Sequence, residues 1–561
     1  MRRLSLLSRA SLLAGMAVAV PTLFACLDHP LKPVEYDGAQ ELQKGIQLTV
    51  NKDVDILFVI DNSGSMGEEQ ANVSANFESF INVLEAEDVK ANYRIGVTTT
   101  DNGNPRCGST GPEGGKLQMT SCRSRQGEFI FTGTPMVDVT DIACLDNCAI
   151  DDLNIQPTTT ELDPDLKVRP WLENIDGKTN LPDADGDGAP DYTTVQAFQC
   201  FGPQGVAGCG FESHLESMYL AFLHAETEGD NQYGFVRSNA ILSVVFVTDE
   251  VDCSNNKDFQ SIFLTVDQGG NQASLDAFWT DPTAGSPTSA VCWNAGVACT
   301  GGPGTYDECH SENYDVEGNA GVDGNQAVLY PVSRYIDFVQ EVEDNKREFT
   351  PGQEVLVALI TGVPPGYESG DVDITYADAT NMQEQIDFGI GAGCTNNSTT
   401  PVGTARPPVR EREFAEAFMV ADDRNLFSIC ANDFSPALES IAEKIRDQIK
   451  PACMPACVAD TDPVDPGLQP QCNLVQEAPR PGGGIDETPV PQCGAGGAVP
   501  DGADVCFIAV TDDTIDAYCS DQGYNLEFRL NRREGVPAPG GTSVKATCQL
   551  SVTKEVDCPD L

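Results

Sequence analysis

Val54-Asp55-Ile56-Leu57-Phe58-Val59-Ile60-Asp61-Asn62-Ser63-Gly64-Ser65 is the stretch on which the fold turns. Its first seven residues are apolar except for Asp55, with none of the in/out alternation of a half-exposed strand. Such a run predicts a strand buried on both faces, as in a parallel sheet covered by helices. Directly after it, Val73, Phe77, Phe80, Ile81 and Leu84 recur at helical spacing. A second strand follows at Tyr93-Arg94-Ile95-Gly96-Val97-Thr98, so the opening reads β-α-β.

Outward from this unit the pattern resumes. Glu128–Phe131 predicts a short strand, Leu215, Met218, Tyr219 and Phe222 a helical stripe, and Ile241–Val247 another buried strand. Val332, Ile336 and Val339 predict a helix, Glu354–Ile360 and Leu426–Ile429 strands, and Leu438, Ile441, Ile445 and Ile449 a last helix, capped by Ser435 with Pro436 in its first turn. Strands alternating with helices predict an α/β fold with a doubly wound, mostly parallel sheet. Three Gly/Pro/Asp-rich insertions, at about 101–210, 253–325 and 362–410, interrupt it and carry most of its cysteines. From Pro451 the chain turns rich in Pro, Gly and Cys, which predicts a small disulfide-stapled, β-rich module over 451–561. The α/β domain then spans 51–450.

Asp61-Asn62-Ser63-Gly64-Ser65 resembles the D-x-S-x-S motif of the von Willebrand factor A family. The match extends to the β-α-β order and to the later strand ending Val247-Thr248-Asp249, over roughly residues 51–450. The resemblance implies a Rossmann-like fold and a metal-ion-dependent adhesion site. There Asp61, Ser63, Ser65 and Asp249 would hold Mg²⁺, or Mn²⁺ or Ca²⁺, at the carboxyl ends of the strands. The vacant ligand position would take an Asp or Glu carboxylate of a protein partner. The family usually adds a Thr from the loop before the third helix, but this loop reads Gly208-Cys209-Gly210-Phe211-Glu212-Ser213. Glu212 or Ser213 can stand in for it. The same two residues also suit a helix start, as a cap and a first-turn acid.

A second candidate is Asp183, Asp185, Asp187 and Asp191, with Gly188 at the sixth position. It resembles the D-x-D-x-D-G calcium loops of EF-hands and thrombospondin type-3 repeats, although Thr194 stands where an EF-hand has Glu.

The N-terminus has Arg2, Arg3 and Arg9 before a short apolar stretch, and Leu23-Phe24-Ala25-Cys26 resembles the lipobox of bacterial lipoproteins. This implies a signal peptide over 1–25, lipid on Cys26, a tether over 26–50 and export to the cell envelope. Leu27 after the cysteine resembles an outer-membrane address. The 21 cysteines then divide into Cys26, twelve between Cys107 and Cys430, and eight between Cys453 and Cys558. Both remainders are even, so each part can close its own disulfides.

The chain carries 86 Asp+Glu against 33 Lys+Arg, a net charge of −53. That excludes nucleic-acid binding through a basic face and charge-driven docking on anionic lipid. His29, His214, His224 and His310 are scattered singly, and neither a Walker A run nor a dinucleotide fingerprint is present, so no nucleotide is expected. The expected function is non-enzymatic, cation-dependent adhesion. Two alternatives stand beside it: a calcium-rigidified structural envelope protein, and, more weakly, a metal-dependent hydrolase, for which no positioned base stands out.

Overall fold

The computed structural model describes residues 43–48 and most of 52–561; residues 1–42, 49–51, 463–466, 480–484, 534–542 and some shorter loop segments fall outside the described residues. The lipobox and Cys26 therefore lie outside them.

The main elements are β1 (Asp53–Ile60), α1 (Gly67–Leu84), β2 (Asn92–Thr99), β3 (Leu172–Ile175), β4 (Lys178–Thr179), α2 (Thr194–Phe201), α3 (His214–Glu226), β5 (Ile241–Val247), α4 (Val332–Phe349), β6 (Leu356–Thr361), α5 (Val409–Glu416), β7 (Leu426–Ser428) and α6 (Ser435–Gln448). The seven strands form one sheet in the order β7-β6-β5-β1-β2-β3-β4. β7, β6, β5, β1 and β2 run parallel, while β3 and β4 are antiparallel additions at one edge. This is the expected mixed α/β architecture, with the two most apolar runs, β1 and β5, side by side at its centre.

Alternate residues of β1 face opposite layers. Ile56, Phe58 and Ile60 pack with α1, α2 and α6, and Phe77 of α1 stacks on Phe198 of α2 with ring centroids 3.5 Å apart. Leu57 and Val59 pack with α3, α4 and α5. The apolar stripes read from the sequence are those that α1 and α6 bury.

Several local expectations need correction. Within 26–50, Gln43–Leu48 is a strand, not tether: it pairs antiparallel with Ser543–Gln549 and completes a four-stranded sheet with Cys472–Pro479 and Ile485–Val490. A free edge in the module supplies the backbone partners that a tether reading ignores. The strand expected over 128–131 is reduced to Ile130–Phe131. Ser435 does not cap α6. Its amide is taken by Asp433 Oδ1 at 2.8 Å, and its hydroxyl donates to Asn76 of α1 at 2.6 Å. The insertion 101–210 holds the β3–β4 hairpin, turning at Asp176-Gly177, both with positive φ (51° and 76°).

Ten disulfides close within the described residues. Those of Cys107 to Cys430 pair among themselves, and so do those of Cys453 to Cys558. The later group staples two small sheets around Val458, Leu474, Phe507, Leu526 and Phe528. Disulfides in this number mark an oxidising, extracytoplasmic setting.

At the amino ends of the parallel strands lies a buried ionic group. Asp55 of β1 accepts from the Arg237 backbone amide (2.6 Å) and Nε (2.8 Å), and Lys346 of α4 donates to the carbonyls of Arg237 and Ala240, both at 2.7 Å. Burial holds the Lys346 ammonium down at about 8. Between that value and the ordinary lysine range near 10.4, the unfolded chain binds the proton more readily. Lys346 therefore makes stability rise with pH over that window. Lys346→Met is expected to remove this component from the difference between wild-type and variant denaturation curves collected from pH 7 to 10.5.

Candidate metal centre

The motif sits where β1 ends. The Asp61 amide is fixed by Val247 O of β5 at 3.0 Å, so the two central strands present Asp61 and Asp249 side by side. Asp61 is fully buried. Its Oδ1 accepts from the Ser63 amide (2.7 Å) and its Oδ2 from Thr248 Oγ1 (2.7 Å). The Ser63 and Ser65 hydroxyls lie 3.3 Å apart, and Ser65, which is exposed, opens the site to solvent. Ser65 also hydrogen-bonds the Asp249 side chain. The structure thus brings together all four residues of the expected adhesion set.

The loop before α3 is held against them from three sides. Gly208 N donates to Asn62 O (2.9 Å), Ser213 N to Thr100 O (2.9 Å), and Cys253 N to Glu212 O (2.6 Å). A Cβ at Gly208 would lie 2.2 Å from Asn62 Oδ1, so a larger residue there would have to displace that buried side chain. The Cys107–Cys209 disulfide and the Asp101 carboxylate, which accepts from Cys209 N at 3.2 Å, add two more ties. Between Glu212 and Ser213 the structure makes a distinction. Ser213 donates its hydroxyl to Cys253 O at 3.0 Å and, though at the cap position of α3, caps nothing with its side chain. Glu212 is fully buried; its Oε2 accepts from Thr100 Oγ1, while its Oε1 has no hydrogen-bond partner. Asp249 Oδ1 is likewise buried and unpartnered.

These acids crowd one another. Burial, then the charge of Asp61, pushes both Asp249 and Glu212 well above the usual carboxylate range. Burial lifts Glu250 to about 8 and Glu69 to about 7, with Asp61 again contributing. A divalent cation placed beside such a set would favour the ionised form of every one of them.

The acids are not drawn into a tight cage. Among the described residues, the one set of three acidic groups with oxygens all within 4.8 Å of one another is Asp183, Asp185 and Asp187, all exposed. An ion beside Ser63 and Ser65 would therefore reach some of Asp61, Asp249 and Glu212 through water, as Mg²⁺ commonly does. In the exposed loop, Asp183 Oδ1 and Oδ2 accept from the Gly186 and Gly188 amides at 2.8 and 3.0 Å, and Asp191 accepts from Ala184 N.

Four supporting residues have no sequence signature. Gln70 of α1 is buried, donates to Asp61 O and Gly205 O (both 2.8 Å), and accepts from the Gln204 and Gly205 amides. Thr100 orients Glu212. Thr248 orients Asp61 and is itself 2.7 Å from His214 Nε2. Because Thr248 gives its proton to Asp61, His214 Nε2 must carry the proton of that contact. The other His214 nitrogen faces Glu411 (3.4 Å) and Asp252 (3.8 Å). His214, one of the four scattered histidines, is thus a buried positioning group.

No protein-family model and no curated protein matches the chain. Among solved structures, the pilus adhesin SpaC from Lactobacillus rhamnosus GG aligns in its open conformation with 12% identity and a TM-score of 0.26, and in a second form with 10% identity and a TM-score of 0.24. Each alignment covers 91% of this chain and 40% of the adhesin chain, so this chain spans two-fifths of that length. Likeness at that level carries no argument about fold or function.

Proposed function

We propose that this chain is a non-enzymatic, divalent-cation-dependent binding protein of the cell envelope, with Mg²⁺, Mn²⁺ or Ca²⁺ held by Ser63 and Ser65 and ringed by Asp61, Asp249 and Glu212. The ion's outward position, beside exposed Ser65, takes an oxygen of the partner. The observation that carries this reading is the pair of buried, unpartnered acid oxygens, Asp249 Oδ1 and Glu212 Oε1. Left without a cation, each costs the fold a desolvation penalty. Their position at the carboxyl ends of strands in an open α/β sheet is where such folds bind ligands. The disulfides support an extracellular setting, and lipid on Cys26 would hold the protein at a membrane surface.

The test is isothermal calorimetry of the exported protein with each cation, comparing wild type with Ser65→Ala and Asp61→Asn. Both variants are expected to lose at least tenfold in affinity for one site. Unchanged affinity in both removes the mechanism.

The exposed Asp183, Asp185 and Asp187 cluster favours a second, compatible reading, a calcium loop that stiffens the first insertion.

A further inference from the structure

We propose that one short segment, Arg406 to Glu411, positions both strand-end acids of the cation site without touching the ion, and that Glu411 does so for Asp61 through His214 and Thr248. The inference rests on the cation-binding reading above and names what holds that site in shape.

The segment closes the third insertion and enters α5, and its two ends reach the two acids by separate routes. At the first end, the Arg406 amide donates to Asp249 O at 2.8 Å. Arg406 is itself held on several sides. Its Nη1 lies 2.6 Å from Glu384, and its guanidinium covers the Phe388 ring at 4.0 Å. Its backbone runs so close to Gly362 that a Cβ there would meet Arg406 O at 1.8 Å. Pro407 and Pro408 follow, and their fixed φ stiffens the entry into α5.

At the other end, Glu411 is buried, and neither of its carboxylate oxygens has a hydrogen-bond partner. Its Oε1 stands 3.4 Å from His214 Nδ1, which has none either. A proton shared by these two atoms closes the contact and sets the plane of the ring. The other ring nitrogen, Nε2, lies 2.7 Å from Thr248 Oγ1, and that hydroxyl donates to Asp61 Oδ2 at 2.7 Å. Four fully or almost fully buried side chains thus form one line from α5 to the acid at the end of β1. Between the two ends, Arg410 Nε donates to Asp252 Oδ2 at 3.0 Å, and Asp252 Oδ1 accepts from the Leu215 amide at 3.2 Å. The first turn of α3, which carries His214, is therefore braced from the same segment. Groups that fix the orientation of a metal-facing side chain cost about 10–100-fold in metal affinity when they are removed.

The experiment uses the intact, disulfide-bonded protein carrying Asp185→Ala and Asp187→Ala, so that the exposed loop does not add to the signal. Mn²⁺ is the probe, titrated by electron paramagnetic resonance, and the unfolding midpoint in EDTA is measured beside it. Glu411→Leu and His214→Leu are each expected to weaken Mn²⁺ binding about tenfold or more and to change the spectrum of the bound ion. The double variant is expected to bind no worse than His214→Leu alone, because both substitutions break the same line. His214→Gln presents a side-chain amide that can donate to Thr248 in place of Nε2, and it is expected to recover affinity to within about threefold of the parent. Thr248→Val keeps the volume and removes the last link, so it carries the test should the leucine variants not fold. Glu413, two residues on in α5, holds the Ser311 amide at 2.6 Å instead, and Glu413→Leu is the control for a disturbed helix. Parent-like Mn²⁺ affinity in Glu411→Leu and Thr248→Val, or an equal loss in Glu413→Leu, overturns the positioning role and leaves the cation reading standing. Absence of Mn²⁺ and Mg²⁺ uptake by the parent overturns both.

Discussion

Calcium at about a hundred times its dissociation constant is expected to raise the unfolding free energy by about 2.7 kcal/mol per occupied site. For a cooperative unit of roughly 400 residues this is a rise of about 3 °C in Tm. The gain would arise because only the folded chain brings these acids together, so a cation bound there would favour the folded state. Asp61, Asp249 and Glu212 are buried together, and two of their oxygens are without partners. Asp61→Asn is expected to remove the part of the gain that belongs to the strand-end site and to leave whatever the 183–191 loop contributes. Asp185→Ala with Asp187→Ala is expected to do the reverse. Thermal denaturation in calcium and in EDTA, with the disulfides kept oxidised, separates the two contributions. Identical melting of the wild type in both solutions would sink both sites.

The second large effect is at the opposite pole. Arg237→Ala is expected to cost about 3–5 kcal/mol, because it strands Asp55 in a fully buried position. Arg237 supplies Asp55 with a guanidinium contact at 2.8 Å, and its Nη2 donates to Val54 O (2.9 Å) and Asn92 O (3.0 Å), tying β1 to β2. Removing the acid as well should recover part of the loss, since the penalty lies mainly in the orphaned charge. Chemical denaturation of Arg237→Ala and of Arg237→Met with Asp55→Leu tests this. Equal midpoints for the two would show that the lost backbone contacts, not the charge, matter most.

The central fold was legible because burial on both faces writes itself as continuous apolar runs. β1 and β5 are such runs, and α1 and α6 show their stripes at helical spacing. What stayed unread is long-range. Gln70 meets Gly205 across 135 residues, and Thr100 meets Glu212 across 112. No local periodicity encodes such meetings. The difference between Glu212 and Ser213 is of this kind, since it lies in where each side chain finds a partner. The β3–β4 hairpin was legible in principle, since Asp176-Gly177 is a strong hairpin turn signal, yet its strands are too short for a convincing alternation. Strand Gln43–Leu48 had no such cue, because an edge strand owes its existence to the neighbour it joins.

That strand also bears on how the molecule carries load. It enters β1 after only a few residues, and β1 ends at Asp61, so one covalent line runs from the N-terminal strand to the candidate cation. Its hydrogen bonds to Ser543–Gln549 lie across the strand axis, and the two strands are paired at six positions. Tension along this line, from an N-terminus held at a surface to a partner gripped at the serines, would run through the covalent backbone of the strand itself, so its six pairs with Ser543–Gln549 would keep the C-terminal module docked beside the loaded line without bearing the pull.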